Sequence, residues 1–170
     1  MLHGNSNIKN YTLLYSGFKT SKEQHGTGIL ITGCATKCIL GFEPINDRMC
    51  KPRNIGKFYN MTIIIVYAST EDENKQNAED MEQFHNKLSD LYDKTPRNYA
   101  FILLGDFNAK IGKEQSNKRV VGRHTLHDIT TENGEKLVQL VIAHNLEISS
   151  TKFQHRRIHE GTWKAPVGHL

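Results

Sequence analysis

The sequence predicts a layered α/β domain built around a mixed sheet, and three observations lead there. Ile63, Ile64, Ile65 and Val66 stand in one run inside residues 61–68; four β-branched side chains in a row crowd a helix and suit the centre of a sheet. Ala78, Met81, Phe84, Leu88, Leu91 and Tyr92 recur at helical spacing between about Asn74 and Lys94, the pattern of an amphipathic helix covering a sheet. Residues 11–16 and 28–32 read as two antiparallel strands around a polar stretch, which favours a mixed sheet over a wholly parallel one.

The elements follow in order. After the hairpin, residues 38–42 form a third strand, and Pro44 with Asn46-Asp47 marks a turn. The strand at 61–68 comes next, at the sheet centre. Acidic residues 71–73 sit near the start of the first long helix, where the helix dipole favours them, and Pro96 ends it before a strand at 99–104. A second helix runs from about 134 to 144 through Leu137, Val138, Leu140 and Val141, with Asn133 as N-cap and Asn145 as the C-terminal stop. Residues 146–149 then form a strand. The longest irregular stretch, 113–133, holds Lys118, Arg119, Arg123, His124 and His127; a loop of that length is more often functional or mobile than neutral.

The most informative segment is the apolar run Phe101-Ile102-Leu103-Leu104, which ends in Gly105-Asp106-Phe107-Asn108. The run predicts a strand covered on both faces, with a carboxylate held at its tip. Strand C-terminal ends in α/β sheets are where ligands usually sit. The plainer alternative for Asp106 is a turn residue whose side chain accepts a nearby backbone N–H.

A chain of 170 residues fits one domain. Its apolar fraction of 37% and mean hydropathy of -0.56 point to a large polar surface or an incomplete core. The formal charge of +4 is by itself weak support for a polyanion partner. Cys34, Cys38 and Cys50 make an odd count, and no secretory-type segment opens the chain, so an intracellular, nuclear or cytoplasmic setting is expected. Cys34 and Cys38, with His155 and His159, have spacings that fit zinc on paper, but the pairs lie far apart, and buried thiols with exposed imidazoles are the simpler reading. No apolar run reaches the roughly 20 residues of a bilayer span.

Gly105-Asp106-Phe107-Asn108-Ala109-Lys110-Ile111-Gly112, followed by Val120-Val121-Gly122, Asn133-Gly134-Glu135 and Gly161-Thr162-Trp163, resembles the endonuclease/exonuclease/phosphatase superfamily. More narrowly it is similar to the endonuclease domain of LINE-type retrotransposons and to the retrotransposon-derived craniofacial development protein 2 group. The match runs from about Tyr11 to Trp163. It implies a two-sheet mixed β sandwich flanked by helices, and a metal-dependent phosphodiester hydrolase acting on DNA.

Each role in that chemistry asks for a residue type: an activated water, a cation on the phosphate, and a proton for the leaving oxygen. The resemblance implies that Asp106 orients and deprotonates the water and that Asn108 holds the phosphate. Residues two apart on a strand point the same way, which supports that pair. Tyr67 matches the family tyrosine that faces the phosphate, against the alternative of a core tyrosine with its hydroxyl at the rim. Ser69-Thr70 stands where the wider family favours Pro-Asn. Thr162 and Trp163 match the Thr-Trp pair near the site. Arg119, Arg123, Arg156, Arg157 and Lys164 are the candidate phosphate contacts, with a solvated basic face as the alternative.

The family's metal is Mg2+, held chiefly by an early-strand glutamate, and its remaining acid-base groups lie in an Ile-Asp-Tyr-like segment and a Ser-Asp-His end. None of the three has a counterpart in these residues. Glu23 does not match the glutamate, Val167 replaces the aspartate usual before the glycine, and His169 is not the family histidine. The expectations are a partial domain, weak or absent Mg2+, impaired catalysis, and dependence on missing segments or another chain, without a membrane. A non-catalytic remnant binding nucleic acid or protein is the competing reading, and a phosphoesterase for a small substrate is a third.

Overall fold

In a computed structural model, residues 2–17, 25–71, 78–114 and 118–156 are described, and the chain divides into two compact units, Met1–Asn108 and Ala109–Leu170. The first unit opens with an antiparallel meander of β1 (Leu2–Ile8), β2 (Tyr11–Gly17) and β3 (Gly26–Thr32). The expected hairpin is β2 with β3, Tyr11 pairing with Thr32 and Gly17 with Gly26. Leu14, Ser16, Thr27 and Ile31 are buried at alternate positions, which gives the meander one packed face. β1 escaped the sequence reading because its interior, His3 to Asn7, carries no apolar residue; backbone pairing to β2 along its whole length makes it a strand.

After a one-turn helix, α1 (Gly33–Thr36), the second sheet runs β4 (Ile39–Asn46), β5 (Met49–Asn54), β6 (Met61–Tyr67) and β7 (Ala100–Asp106) in that spatial order. The first three pair antiparallel and β6 pairs parallel with β7, so this is the mixed sheet. Pro44 does not start a turn as expected: it lies within β4, opposite Cys50, and the reversal falls at Asp47-Arg48, where Asn46 Oδ1 accepts the Arg48 N–H at 2.9 Å. β5 was unexpected because Met-Cys-Lys-Pro-Arg-Asn contains a proline, which cannot donate to a ladder. Pro52 is accommodated where pairing between β5 and β6 is interrupted, between Cys50 opposite Ile65 and Arg53 opposite Thr62.

The two sheets face each other, β2 lying against β4 and β5, and β3 against β5 and β6. Ser16 Oγ donates to Asn46 O at 2.6 Å and ties them together. Cys50 is fully buried and burial pushes its thiol up, whereas Cys34 and Cys38 are exposed rather than buried. A parallel pair needs a crossover, and α2 (Ala78–Asp93) supplies it with Met81, Leu88 and Leu91 buried. Tyr92 at its end meets Phe101 edge-on, with centroids 4.9 Å apart.

β7 corrects one expectation. It is the last strand of its sheet, and it is not covered on both faces: Ile102 is 36% and Leu104 47% exposed. Both share a face with their register partners Ile63 and Ile65, and the three-stranded sheet that covers this face reaches β4, β5 and β6. An uninterrupted apolar run marks a buried strand only where a layer lies over each side.

In the second unit, α3 (Glu132–Ala143) buries Leu137, Val138, Leu140 and Val141. Its N-cap is Thr131, not Asn133, because the Thr131 hydroxyl accepts from Gly134 N while Asn133 is buried inside the first turn. Asn145 ends the helix as expected, in the left-handed region at φ 51°. Residues 146–149 do not make a strand: Ile148 forms a single bridge to Val121, and a 3-10 turn, Ser149–Thr151, follows at once. The long irregular stretch is pinned by a Gly112–His127 bridge, by Glu114 Oε1 accepting Thr130 N at 2.5 Å, and by a Lys113–Asp128 ion pair at 2.6 Å. Among the described residues no helix is long and apolar enough to cross a membrane.

His127 carries a pH dependence. Burial, and then the Lys110 charge, hold its imidazole below the ordinary 6.5, with Asp128 acting in the opposite sense. The unfolded chain therefore binds this proton at a higher pH than the folded one, so stability is full above 6.5 and declines as the pH falls toward the lowered folded value. Amide-exchange protection factors in the second unit should fall on acidification through that window and stay level in His127→Gln; equal slopes for the two proteins would refute this assignment.

Candidate functional site

The C-terminal ends of β6 and β7 bring together residues that are far apart in the chain. Parallel register sets Tyr67 opposite Asp106, so both side chains emerge on one face, at the end of a sheet where α/β proteins place ligands. The pairing continues one residue further, with Ala68 N donating to Asp106 O at 2.8 Å.

Asp106 is exposed, and its Oδ1 accepts the N–H of Asn108 at 2.9 Å. The turn role weighed against a chemical one is thus realised, and the two are compatible: a carboxylate has about four lone-pair positions and this bond takes one. Strand alternation does not bring Asn108 alongside. Asn108 lies beyond β7 at φ 45°, a left-handed conformation asparagine tolerates, and its amide turns back to donate to Ala68 O at 2.7 Å.

Tyr67 is half-buried, and its N–H donates to Arg48 O at 2.9 Å. The Arg48 guanidinium carbon stands 5.5 Å from the ring centroid, within cation–π range, and the His25 ring lies 5.8 Å away on a tilted plane. Arg48 Nη2 meets His25 Nε2 at 3.0 Å. A guanidinium only donates, so in this contact Nε2 is the acceptor. Arg48 and His25 were absent from the sequence reading, and no spacing could have found them, because His25 stands just before β3 and Arg48 in the turn between β4 and β5. Among the described residues in these contacts, the strand end combines the Asp106 carboxylate, the Tyr67 phenol, the Asn108 amide and the Arg48 guanidinium.

The basic candidates are placed differently. Arg119 and Arg123 belong to the second unit, exposed on either side of buried Val120, Val121 and Gly122, and Arg156 is exposed in the same unit. Lys152 is engaged there, donating to Arg119 O at 2.5 Å and 3.6 Å from Glu147. Arg157, Thr162, Trp163 and Lys164, like Glu23, His159, Val167 and His169, lie outside the described residues.

Among the described residues no three His, Cys, Asp or Glu side chains converge to hold a metal ion. The strand-end donor set still fits Mg2+ in one respect: this ion keeps several waters and is commonly held by one or two carboxylates together with substrate phosphate. Asp106 would be the carboxylate.

The sequence profile of the endonuclease-reverse transcriptase family matches residues 61–164, which include β6, β7 and α3. Craniofacial development protein 2 of Bos taurus is 31% identical over 169 residues, covering 97% of this chain and 27% of that protein. The protein of the same name from Tragulus javanicus is also 31% identical over 169 residues, covering 97% of this chain and 28% of its own length. The chain thus spans little more than a quarter of the curated relatives it matches.

Proposed function

We propose that this chain, which belongs to the endonuclease-reverse transcriptase family, is a Mg2+-dependent DNA endonuclease-type phosphodiesterase domain of retrotransposon origin, catalytically impaired as these 170 residues. The observation that carries the reading is the placing of Tyr67 against Asp106 in parallel register, with Asn108 folded back onto the same strand end. In this reading Asp106 orients the attacking water and takes its proton, which needs an exposed carboxylate on a rigid support. The Asn108 amide, oriented by Ala68 O, and the Tyr67 hydroxyl contact the phosphate. Arg48, stacked on Tyr67, adds positive charge where charge develops in the transition state. Mg2+, when bound, supplies charge neutralisation on the phosphate.

The impairment follows from the same geometry. Among the described residues joined there by hydrogen bonds and ring contacts, Tyr67, Arg48, His25, Ala68, Asp106 and Asn108, Asp106 is the one carboxylate, and the Arg48 cation nearby lowers the site's attraction for a second cation. Loss of one stabilising partner commonly costs about 100-fold in rate. The 170-residue chain should show no appreciable nicking of supercoiled plasmid in Mg2+. Robust nicking that disappears in Asp106→Ala would contradict the impairment.

A further inference from the structure

The opposite end of β6 carries a second feature that the strand-end site does not use. The loop between β5 and β6 displays Phe58 at 80% and Tyr59 at 70% exposure, with Ile55 beside them at 48%. Large rings are seldom left so open side by side without a use. The loop is anchored at both ends: Ile55 N donates to Cys38 O at 2.7 Å, and Asn60 O accepts from Ala100 N at 2.8 Å. It is also closed on itself, since a Cβ on Gly56 would stand 2.0 Å from Tyr59 O. The rings are therefore held out on a fixed support.

Along the segment that carries them the charge has one sign. Residues 48–70 contain Arg48, Lys51, Arg53 and Lys57 and no acidic residue. Lys51 is paired with Glu43 on β4, while Arg53 and Lys57 are exposed and Lys57 Nζ lies 5.4 Å from the Phe58 ring centroid. Aromatic faces interleaved with cations suit a strand whose bases are unpaired, because stacking takes any base and the cations take the phosphates. A duplex, with its bases already stacked inside, offers those rings little.

We propose that the β5–β6 loop is a stacking platform for the unpaired bases of single-stranded DNA, with Phe58 and Tyr59 as the rings and Arg53 and Lys57 facing the backbone. The choice of DNA rests on the function proposed above, but the platform is separate from the strand end. Seven residues of β6, at about 3.3 Å each, put the two roughly 20 Å apart. In such an arrangement the loop would hold a displaced strand while the duplex lies at Asp106.

Fluorescence anisotropy with labelled oligo(dT) in EDTA tests this without any divalent cation, so a failure at the strand end does not enter the result. The Phe58→Ala/Tyr59→Ala double variant should bind at least roughly tenfold more weakly than the parent, given the worth of base–aromatic stacking. Lys57→Gln should reduce the slope of affinity against salt by about 0.7. Phe58→Trp should retain affinity and lose fluorescence as oligo(dT) is added. These side chains are exposed, so the variants should fold as the parent does, which circular dichroism checks. Equal affinity of the double variant and the parent for oligo(dT), or binding to duplex as tight as to the single strand, overturns the proposal.

Discussion

Gly105→Ala should lower the melting temperature by roughly 6–12 °C, from a loss of about 3 kcal/mol at some 2–4 °C per kcal/mol for a chain of this size. Two costs combine. Gly105 sits at φ 138°, a conformation L side chains rarely adopt and whose strain is of order 1–3 kcal/mol. The added Cβ would also stand 1.9 Å from Val66 O and 2.8 Å from Val66 C, so β6 and β7 must part or the residue must rotate, at a cost of about 1–3 kcal/mol. Either response moves Asp106, the next residue, and loosens the bond from Ala68 N to Asp106 O. Thermal melting by circular dichroism gives the stability, and exchange of the Ala68 amide reports the strand end. A melting temperature within about 1 °C of the parent would show that the glycine is not needed there.

How much was legible in the sequence depended on what each element has on either side. β6 was readable because Ile63, Ile64 and Val66 are buried on its two faces, and a strand buried on both sides carries a nearly continuous apolar run. α2 was readable because one side of it is buried and spacing records that. β1 was not, since its interior carries no apolar residue and backbone pairing to β2 makes it a strand; β5 was not, although Met49, Cys50 and Pro52 are buried, because Pro52 argued against a strand that tolerates it only at a break in pairing. β7 was identified as a strand but its cover was misjudged, because Ile102 and Leu104 look like core residues in sequence and nothing local records how far a facing sheet extends.

The strand-end site divides in the same way. Asp106 and Asn108 stand out through the apolar run that precedes them, and Tyr67 through its place at the end of the β-branched strand. Their meeting depends on parallel register and on a turn in which Asn108 leaves the strand, not on the alternation expected. Arg48 reaches Tyr67 from the β4–β5 turn and His25 from the entry to β3, so only the packing of one sheet on the other reveals them.

The charge at the strand end is where the largest binding effect should lie. Asp106→Asn removes that charge while keeping an oxygen able to accept the Asn108 N–H, so the turn should persist and stability should change by no more than about 0.5 kcal/mol. Cation binding should vanish, because oxygen-seeking divalent ions need the ionised ligand. Paramagnetic broadening of backbone amide signals during Mn2+ titration tests this most directly, since it detects weak binding and places the ion. The account predicts broadening centred on Tyr67, Ala68, Asp106, Phe107 and Asn108 at millimolar-order Mn2+, competed by Mg2+ and absent in Asp106→Asn. Broadening centred elsewhere, or unchanged in Asp106→Asn, would contradict it.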